Sequence, residues 1–204
     1  MLYEIATLTL KLGTMGGAVA AVDAWVNVTA AQGRLLGCWT TDLGPLNQMI
    51  VLRGFDDEAA LSAERRRGML ASNPFNVADH LTDLTMESYA PFPFMGPVVR
   101  GAYGKVYEIR TYRPKFGGMQ PTIDAWAAAV PERVKLSPLV VAMYALDGAP
   151  RFTHIWPFEG LDARAAIRAQ SVSVGAWPPK GGPDWLTTDM RSLVALPTAI
   201  SPLT

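Results

Sequence analysis

The sequence has little of what metal sites, disulfides and membrane spans require. Its 204 residues contain one cysteine, Cys38, and two histidines, His80 and His154. A single cysteine excludes an internal disulfide. We expect no bound metal, because no Cys/His zinc spacing occurs and no acidic cluster suggests a carboxylate site. No apolar run reaches the roughly 18 residues that a membrane helix needs, so we expect no membrane insertion.

The chain also has no excess of positive or negative charge. Lys and Arg number 18, Asp and Glu number 18, and hydrophobic residues make up 50% of the chain. Such hydrophobicity excludes a disordered chain. A balanced chain has no long-range attraction for nucleic acid, so we expect no nucleic-acid partner. The amino terminus does not resemble a signal peptide, which favours a soluble, cytoplasmic protein.

The chain contains an internal repeat. Residues 2–15 read LYEIATLTLKLGTM, residues 106–119 read VYEIRTYRPKFGGM, and half of the positions are identical. Chance would give about one identity in such a window. We therefore expect two copies of one unit, residues 1–97 and 104–204, with a Pro- and Gly-rich junction between them.

Periodicity predicts the same order of elements in both units. Residues 2–10 and 105–113 alternate and carry Tyr, Ile and Thr, as strands do. A helix, two strands, a second helix and a last strand follow. The later strands are predicted near 34–41, 46–54, 82–90, 138–145, 150–157 and 187–196, and the second helices near 56–71 and 160–173. The order β-α-β-β-α-β defines a ferredoxin-like repeat.

One such repeat leaves one face of its sheet bare, and monomers avoid exposing an apolar patch of that size. Two repeats in one chain can cover both faces by closing together. We therefore expect an α+β fold in which two tandem repeats form a pseudo-dimeric α+β barrel. Its interior would be either filled with side chains or open for one small ligand. Exposed sheet edges would allow a further homodimer.

The second unit carries motifs that resemble those of NIPSNAP domains. Residues 107–119, YEIRTYRPKFGGM, resemble the opening motif, and residues 152–156, FTHIW, resemble the motif of the third strand. Arg168 resembles an arginine of the second helix. The resemblance covers both units and implies the dimeric α+β barrel group, which includes cofactor-free monooxygenases of aromatic compounds, small-molecule isomerases and haem-handling proteins. The motif marks the domain and carries no catalytic residue.

Alternation along the first strand of the second unit places Glu108, Arg110 and Tyr112 on one face. Because these residues are polar, we predict that they face the barrel interior, while Tyr107 and Ile109 pack beneath the helices. Glu108 and Arg110 are either a structural ion pair or a functional pair. In the functional case Arg110 anchors an anionic or carbonyl oxygen and Glu108 acts as a base.

Two residues of the third strand, His154 and Trp156, are expected to line the same cavity. His154 is a candidate general base because its reference pKa is near neutrality. It is also a candidate haem ligand or a hydrogen-bonded structural histidine. Trp156, together with Tyr112, would shape the ligand pocket.

The first unit lacks most of this set. Ala6 and Leu8 replace the arginine and the tyrosine, and Val51 replaces the histidine. Glu4 is retained, and Arg53 occupies the position of the tryptophan, so both are candidates for ligand contact. We expect any site to be single and weighted to the second unit. Alternatively, Arg53 or Arg110 crosses the pseudo-dyad to meet Glu4.

Two functions therefore remain open. The first is binding or transformation of a small apolar or aromatic molecule in a barrel cavity without a metal, similar to a cofactor-free monooxygenase or isomerase. The second is a non-catalytic binding or interaction module with a packed barrel. No cofactor is predicted, with haem handling kept as an alternative.

Overall fold

The computed structural model describes residues 1–204, which form eight strands and five helices. The strands are β1 (Leu2–Leu10), β2 (Arg34–Leu43), β3 (Gln48–Phe55), β4 (Leu81–Pro91), β5 (Val106–Pro114), β6 (Val141–Ala145), β7 (Phe152–Phe158) and β8 (Leu186–Pro197). The helices are α1 (Met15–Val26), α2 (Glu58–Leu70), α3 (Met119–Arg133), α4 (Leu161–Ser173) and the short α5 (Gly182–Trp185). None of the helices is long and apolar enough to cross a membrane.

Each half of the chain folds as a β-α-β-β-α-β repeat. The closed barrel has the order β1-β3-β2-β8-β5-β7-β6-β4, so the first half contributes β4-β1-β3-β2 and the second contributes β8-β5-β7-β6. The predicted fold class, two ferredoxin-like repeats in one α+β barrel, is confirmed. The predicted strand bounds agree with the structure within a few residues, and β6 differs most because it begins later, at Val141.

Two short antiparallel ladders join the halves. β2 pairs with β8 between Trp39 and Leu43, and β4 pairs with β6 between Tyr89 and Pro91. The parts of β4 and β8 that precede these ladders have a strand on one side alone. Pairing of two chains through these edges stays a prediction.

Side chains fill the inside of the barrel. A cluster of 15 buried apolar residues takes at least one residue from every strand. Trp39 of β2 and Tyr107 of β5 meet within it, with ring centroids 5.2 Å apart. Of the two states expected for the interior, the filled one is found.

The orientation of β5 is opposite to the predicted one. Tyr107 and Ile109 belong to the interior cluster, so Glu108, Arg110 and Tyr112 lie on the outer face, beneath α3 and α4. The prediction of an interior site is therefore wrong. The reason is solvation: eight strands seal the apolar interior, whereas the helix-covered face leaves room for charged groups and their hydrogen-bond partners.

Candidate functional site

A cavity of about 840 Å³ lies in the second half, between the outer face of the sheet and the helices α3 and α4. The segment between α4 and β8 also contributes to its wall. All five residues predicted for the second half line it: Glu108, Arg110, Tyr112, His154 and Trp156. Glu4 and Arg53 do not line this cavity.

Tryptophans form much of the apolar wall. Trp126 of α3 lies 4.7 Å from Trp177 between ring centroids, and Trp156 of β7 lies 5.8 Å from Trp177. Both pairs meet edge to face, which is the favoured geometry for aromatic rings. Trp177 thereby anchors the segment after α4 over the helix-side cavity.

Several donors converge on the carboxylate of Glu108, which is 1% exposed. Its Oε1 accepts hydrogen bonds from Arg110 Nη1 at 2.7 Å, Arg164 Nη2 at 2.5 Å and Ser192 Oγ at 2.9 Å. Arg168 Nη1 lies 3.8 Å from Oε2. Burial alone would raise the pKa of Glu108, but the hydrogen bond from Arg164 and the charge of Arg110 lower it to about 2. Such a weakly basic carboxylate is poorly suited to accept a proton near neutral pH.

Arg110 also fixes the hydroxyl of Tyr112. Its Nε donates to Tyr112 Oη at 2.5 Å, so the hydroxyl hydrogen is free to point toward another acceptor. Burial raises the pKa of Tyr112, although the charge of Arg110 opposes the shift. Tyr112 therefore stays protonated at neutral pH and can donate a hydrogen bond into the cavity.

His154 is held as a neutral hydrogen-bond donor. Its Nδ1 accepts a hydrogen bond from Trp156 Nε1 at 2.7 Å. An indole N–H can only donate, so Nδ1 carries no proton and the proton of the neutral ring resides on Nε2. Burial lowers the pKa of His154 well below 6.5, and the charge of Arg110 adds to this effect. The Nε2–H group is buried and has no partner.

This tautomer does not fit haem ligation. An iron-bound imidazole nitrogen uses its lone pair, so ligation through Nε2 would require the proton on Nδ1. The N–H of Trp156 occupies that side of the His154 ring. No group of three or more His, Cys, Asp or Glu side chains is arranged to hold a metal ion.

The sequence patterns did not identify three polar residues of the site: Arg133, Arg164 and Ser192. Arg164 had a signal, because it lies one turn before Arg168 on the same face of α4. Ser192 had a weaker one, because it occupies the position of Ser88 in the repeat. Arg133 ends α3 and has no signal in the repeat.

In the first half, the corresponding charged groups pair with one another. Arg53 Nη2 donates to Glu4 Oε1 at 2.5 Å, and Arg53 Nη1 pairs with Glu64. Glu64 Oε1 also accepts from Arg67 Nη2 at 2.6 Å. The ring of Phe75 covers the Arg53 guanidinium, with a separation of 5.2 Å. Arg53 therefore meets Glu4, as one alternative expected, but both belong to the same half, so the expected crossing of the pseudo-dyad is wrong. Arg110 pairs with Glu108 instead.

The comparisons with known proteins agree with this architecture. The NIPSNAP family model matches residues 3–84 and 107–202. A NipSnap homolog from Dictyostelium discoideum is 24% identical over 144 residues, which are 70% of this chain and 65% of that protein. The chain thus spans less than two thirds of the length of this relative.

Two solved structures share the whole fold. An anthrone oxidase-like protein has a TM-score of 0.67 and 10% identity, covering 98% of this chain and 93% of the other. A putative monooxygenase from Lactobacillus acidophilus has a TM-score of 0.67 and 11% identity, covering 96% and 93%. The TM-scores of 0.67 show a common fold, and at identities this low the similarity shows nothing beyond the fold. Since the family model matches most of both halves, this chain belongs to the NIPSNAP family.

Proposed function

We propose that the second half binds a small aromatic molecule and stabilises negative charge on one of its oxygens. The buried, unpartnered Nε2–H of His154 at the cavity wall carries this proposal. A buried donor without an acceptor costs roughly 1–3 kcal/mol. An oxygen of a bound molecule would remove that cost, and the Tyr112 hydroxyl supplies a second donor to the same cavity.

The wall of the cavity favours an aromatic ligand. Four tryptophans line it: Trp126, Trp156, Trp177 and Trp185. Flat rings pack well against such edges and faces, and each contact adds to the free energy of burial. The filled barrel interior agrees with the alternative of a packed, non-catalytic module, but the helix-side cavity favours a ligand.

The donors fit two reaction classes that pass through an oxyanion. A monooxygenase that works without a cofactor needs an electron-rich enolate or phenolate to react with O₂, and an isomerase that moves a proton beside a carbonyl needs an enolate. Donors directed at such an oxygen stabilise it. The fold shared with an anthrone oxidase-like protein and a putative monooxygenase supports the first class.

The lack of a free base in the cavity narrows the chemical class of the ligand. Glu108 is too weakly basic, and the only basic nitrogen of His154 is occupied by Trp156. The ligand must therefore lose its proton to water, which favours a weak acid such as a phenol or an enol. The surrounding arginines and donors would assist by lowering the pKa of the ligand.

Titration of a bound phenol tests the proposal. 4-Nitrophenol changes colour when it ionises, and we expect its pKa to fall by about one unit on binding, equivalent to about 1.4 kcal/mol. Tyr112→Phe should reduce this shift. Tyr103→Phe, which removes a hydroxyl outside the cavity lining, should leave it unchanged. An unchanged or raised pKa of the bound phenol, or no binding, would contradict the proposal.

A further inference from the structure

Arg133 is a buried cation without a carboxylate partner. It is 4% exposed and lines the cavity at the end of α3. Its Nη1 donates to Ser137 Oγ at 2.8 Å, and its guanidinium carbon lies 4.4 Å from the centroid of the Trp156 ring. A hydroxyl and an aromatic face compensate only part of the cost of burying a charge.

A neighbouring cation, Arg168, adds to the cost of burying Arg133. Burial lowers the pKa of Arg133, and repulsion from Arg168 lowers it further, while Glu108 opposes both. Arg168 makes no contact closer than 3.8 Å to a carboxylate oxygen, and its side chain is 43% exposed. Two guanidinium groups at one cavity therefore have unused donors.

The charged side chains that line the cavity do not balance. Glu108 is the one acidic group that lines the cavity, against the three arginines Arg110, Arg133 and Arg168. Glu108 is already hydrogen-bonded to Arg110 and also to Arg164, which adds a further positive charge nearby. This excess of positive charge around the cavity, with Arg133 almost fully buried, favours binding of an anion.

We propose that the ligand of this cavity is an aromatic carboxylate whose carboxylate group binds Arg133 and Arg168. The planar guanidinium fork matches a carboxylate in shape and charge. The tryptophan wall accounts for the aromatic part. This inference rests on the proposed function and adds the ligand's second polar group, distinct from the oxygen that faces His154 and Tyr112.

Calorimetric titration with a matched pair of probes tests this inference. 2-Naphthoate and 2-naphthamide have nearly the same shape, but only the first carries a charge. We expect the naphthoate to bind at least about ten-fold more tightly at neutral pH, equivalent to about 1.4 kcal/mol. Arg133→Met should remove this preference and leave the affinity for the amide within about two-fold.

Two further variants keep the test decisive. Arg168→Met replaces a side chain that is 43% exposed, and it should also reduce the preference for the naphthoate. Arg66→Met, on the exposed face of α2, is the matched control and should change neither affinity. Binding of the amide shows that each variant still forms the cavity.

The outcomes separate the two proposals. Equal affinities for the naphthoate and the amide in the unmodified chain would overturn the carboxylate inference but leave the phenol titration intact. A naphthoate preference that survives both arginine substitutions would overturn it as well. Failure of both naphthalene probes and of 4-nitrophenol to bind would overturn the proposed function itself.

Discussion

Beneath the helices, charged groups balance in the first half of the barrel and do not balance in the second. Glu4 and Glu64 face Arg53 and Arg67, so two carboxylates meet two guanidinium groups. In the second half, Glu108 is the one acidic residue that lines the cavity. The arginines that contact it or line its cavity are Arg110, Arg133, Arg164 and Arg168. The balanced cluster packs shut, whereas the unbalanced one lies beside open space that an anion can fill.

Packing follows the same division. In the first half Phe75 is fully buried, lies 5.6 Å from Trp25 and covers the charged cluster. In the second half Trp177 packs on Trp126, the counterpart of Trp25, but stands at the wall of the cavity. Equivalent segments after the second helix thus close one half and border an open site in the other. The first repeat is thus a closed scaffold half, whereas the second repeat holds the candidate site.

Removing the central cation of the first half should have the largest effect. Arg53→Met leaves Glu4 without a charged partner, and Glu64 retains only Arg67, although both carboxylates are fully buried. Loss of one partner from a buried ion pair typically costs about 3–5 kcal/mol. We expect the free energy of unfolding, measured by urea denaturation, to fall by that amount.

The corresponding change in the second half sharpens the comparison. Arg110→Met should cost less, about 1.5–3 kcal/mol, because Glu108 keeps its hydrogen bonds from Arg164 and Ser192. If both variants lost the same free energy, the idea of one closed cluster and one open cluster would be wrong.

Lowering the pH should destabilise the second half, because Glu108 becomes protonated. The pKa of Glu108 is about 2 in the folded chain and 4.5 ordinarily, so its stabilising contribution is complete above about pH 4.5 and is lost as the pH falls toward 2. We expect the unmodified chain to lose about 3 kcal/mol more stability than Glu108→Gln between about pH 5 and pH 2. Parallel pH profiles of the two proteins would contradict this assignment.

The first half provides the reference for that experiment. Glu64 also has a lowered pKa, because Arg67 and Arg53 outweigh the opposing effect of burial. Glu64→Gln should therefore flatten the pH profile in the same direction. The comparison of Glu64→Gln with Glu108→Gln shows how the acid sensitivity divides between the halves.

The internal repeat and the alternation along its strands allowed the fold and the grouping of the site residues to be predicted. A period of two places Glu108, Arg110 and Tyr112 on one strand face whatever the strand packs against. It does not say which face is inside, because a closed barrel covered by helices buries both faces. The grouping of these residues with His154 and Trp156 was therefore correct, and their location was not.

The remaining polar residues of the site were missed for a different reason. Comparing repeats finds residues that the copies share, whereas the second half is distinguished by residues that they do not share. Arg133 and Arg164 come from helices whose sequence pattern reads as ordinary amphipathic surface. Their common target, the space around Glu108, exists only after α3 and α4 are placed on the sheet.

The smallest change in stability should come from making the second half resemble the first at one position. His154→Val introduces the residue that stands at position 51, opposite Ala6, where His154 stands opposite Arg110. The N–H of Trp156 loses its acceptor, but the unpartnered Nε2–H disappears as well, so the two costs roughly cancel.

We expect the free energy of unfolding of His154→Val to change by no more than about 1 kcal/mol in urea denaturation. The shift in the pKa of bound 4-nitrophenol should nevertheless shrink, because the donor that faces the ligand oxygen is gone. A large loss of stability with an undiminished shift would make His154 a structural residue. The scaffold half would then differ from the second half in packing alone, and the oxyanion would have to be held by Tyr112 and the arginines without the imidazole.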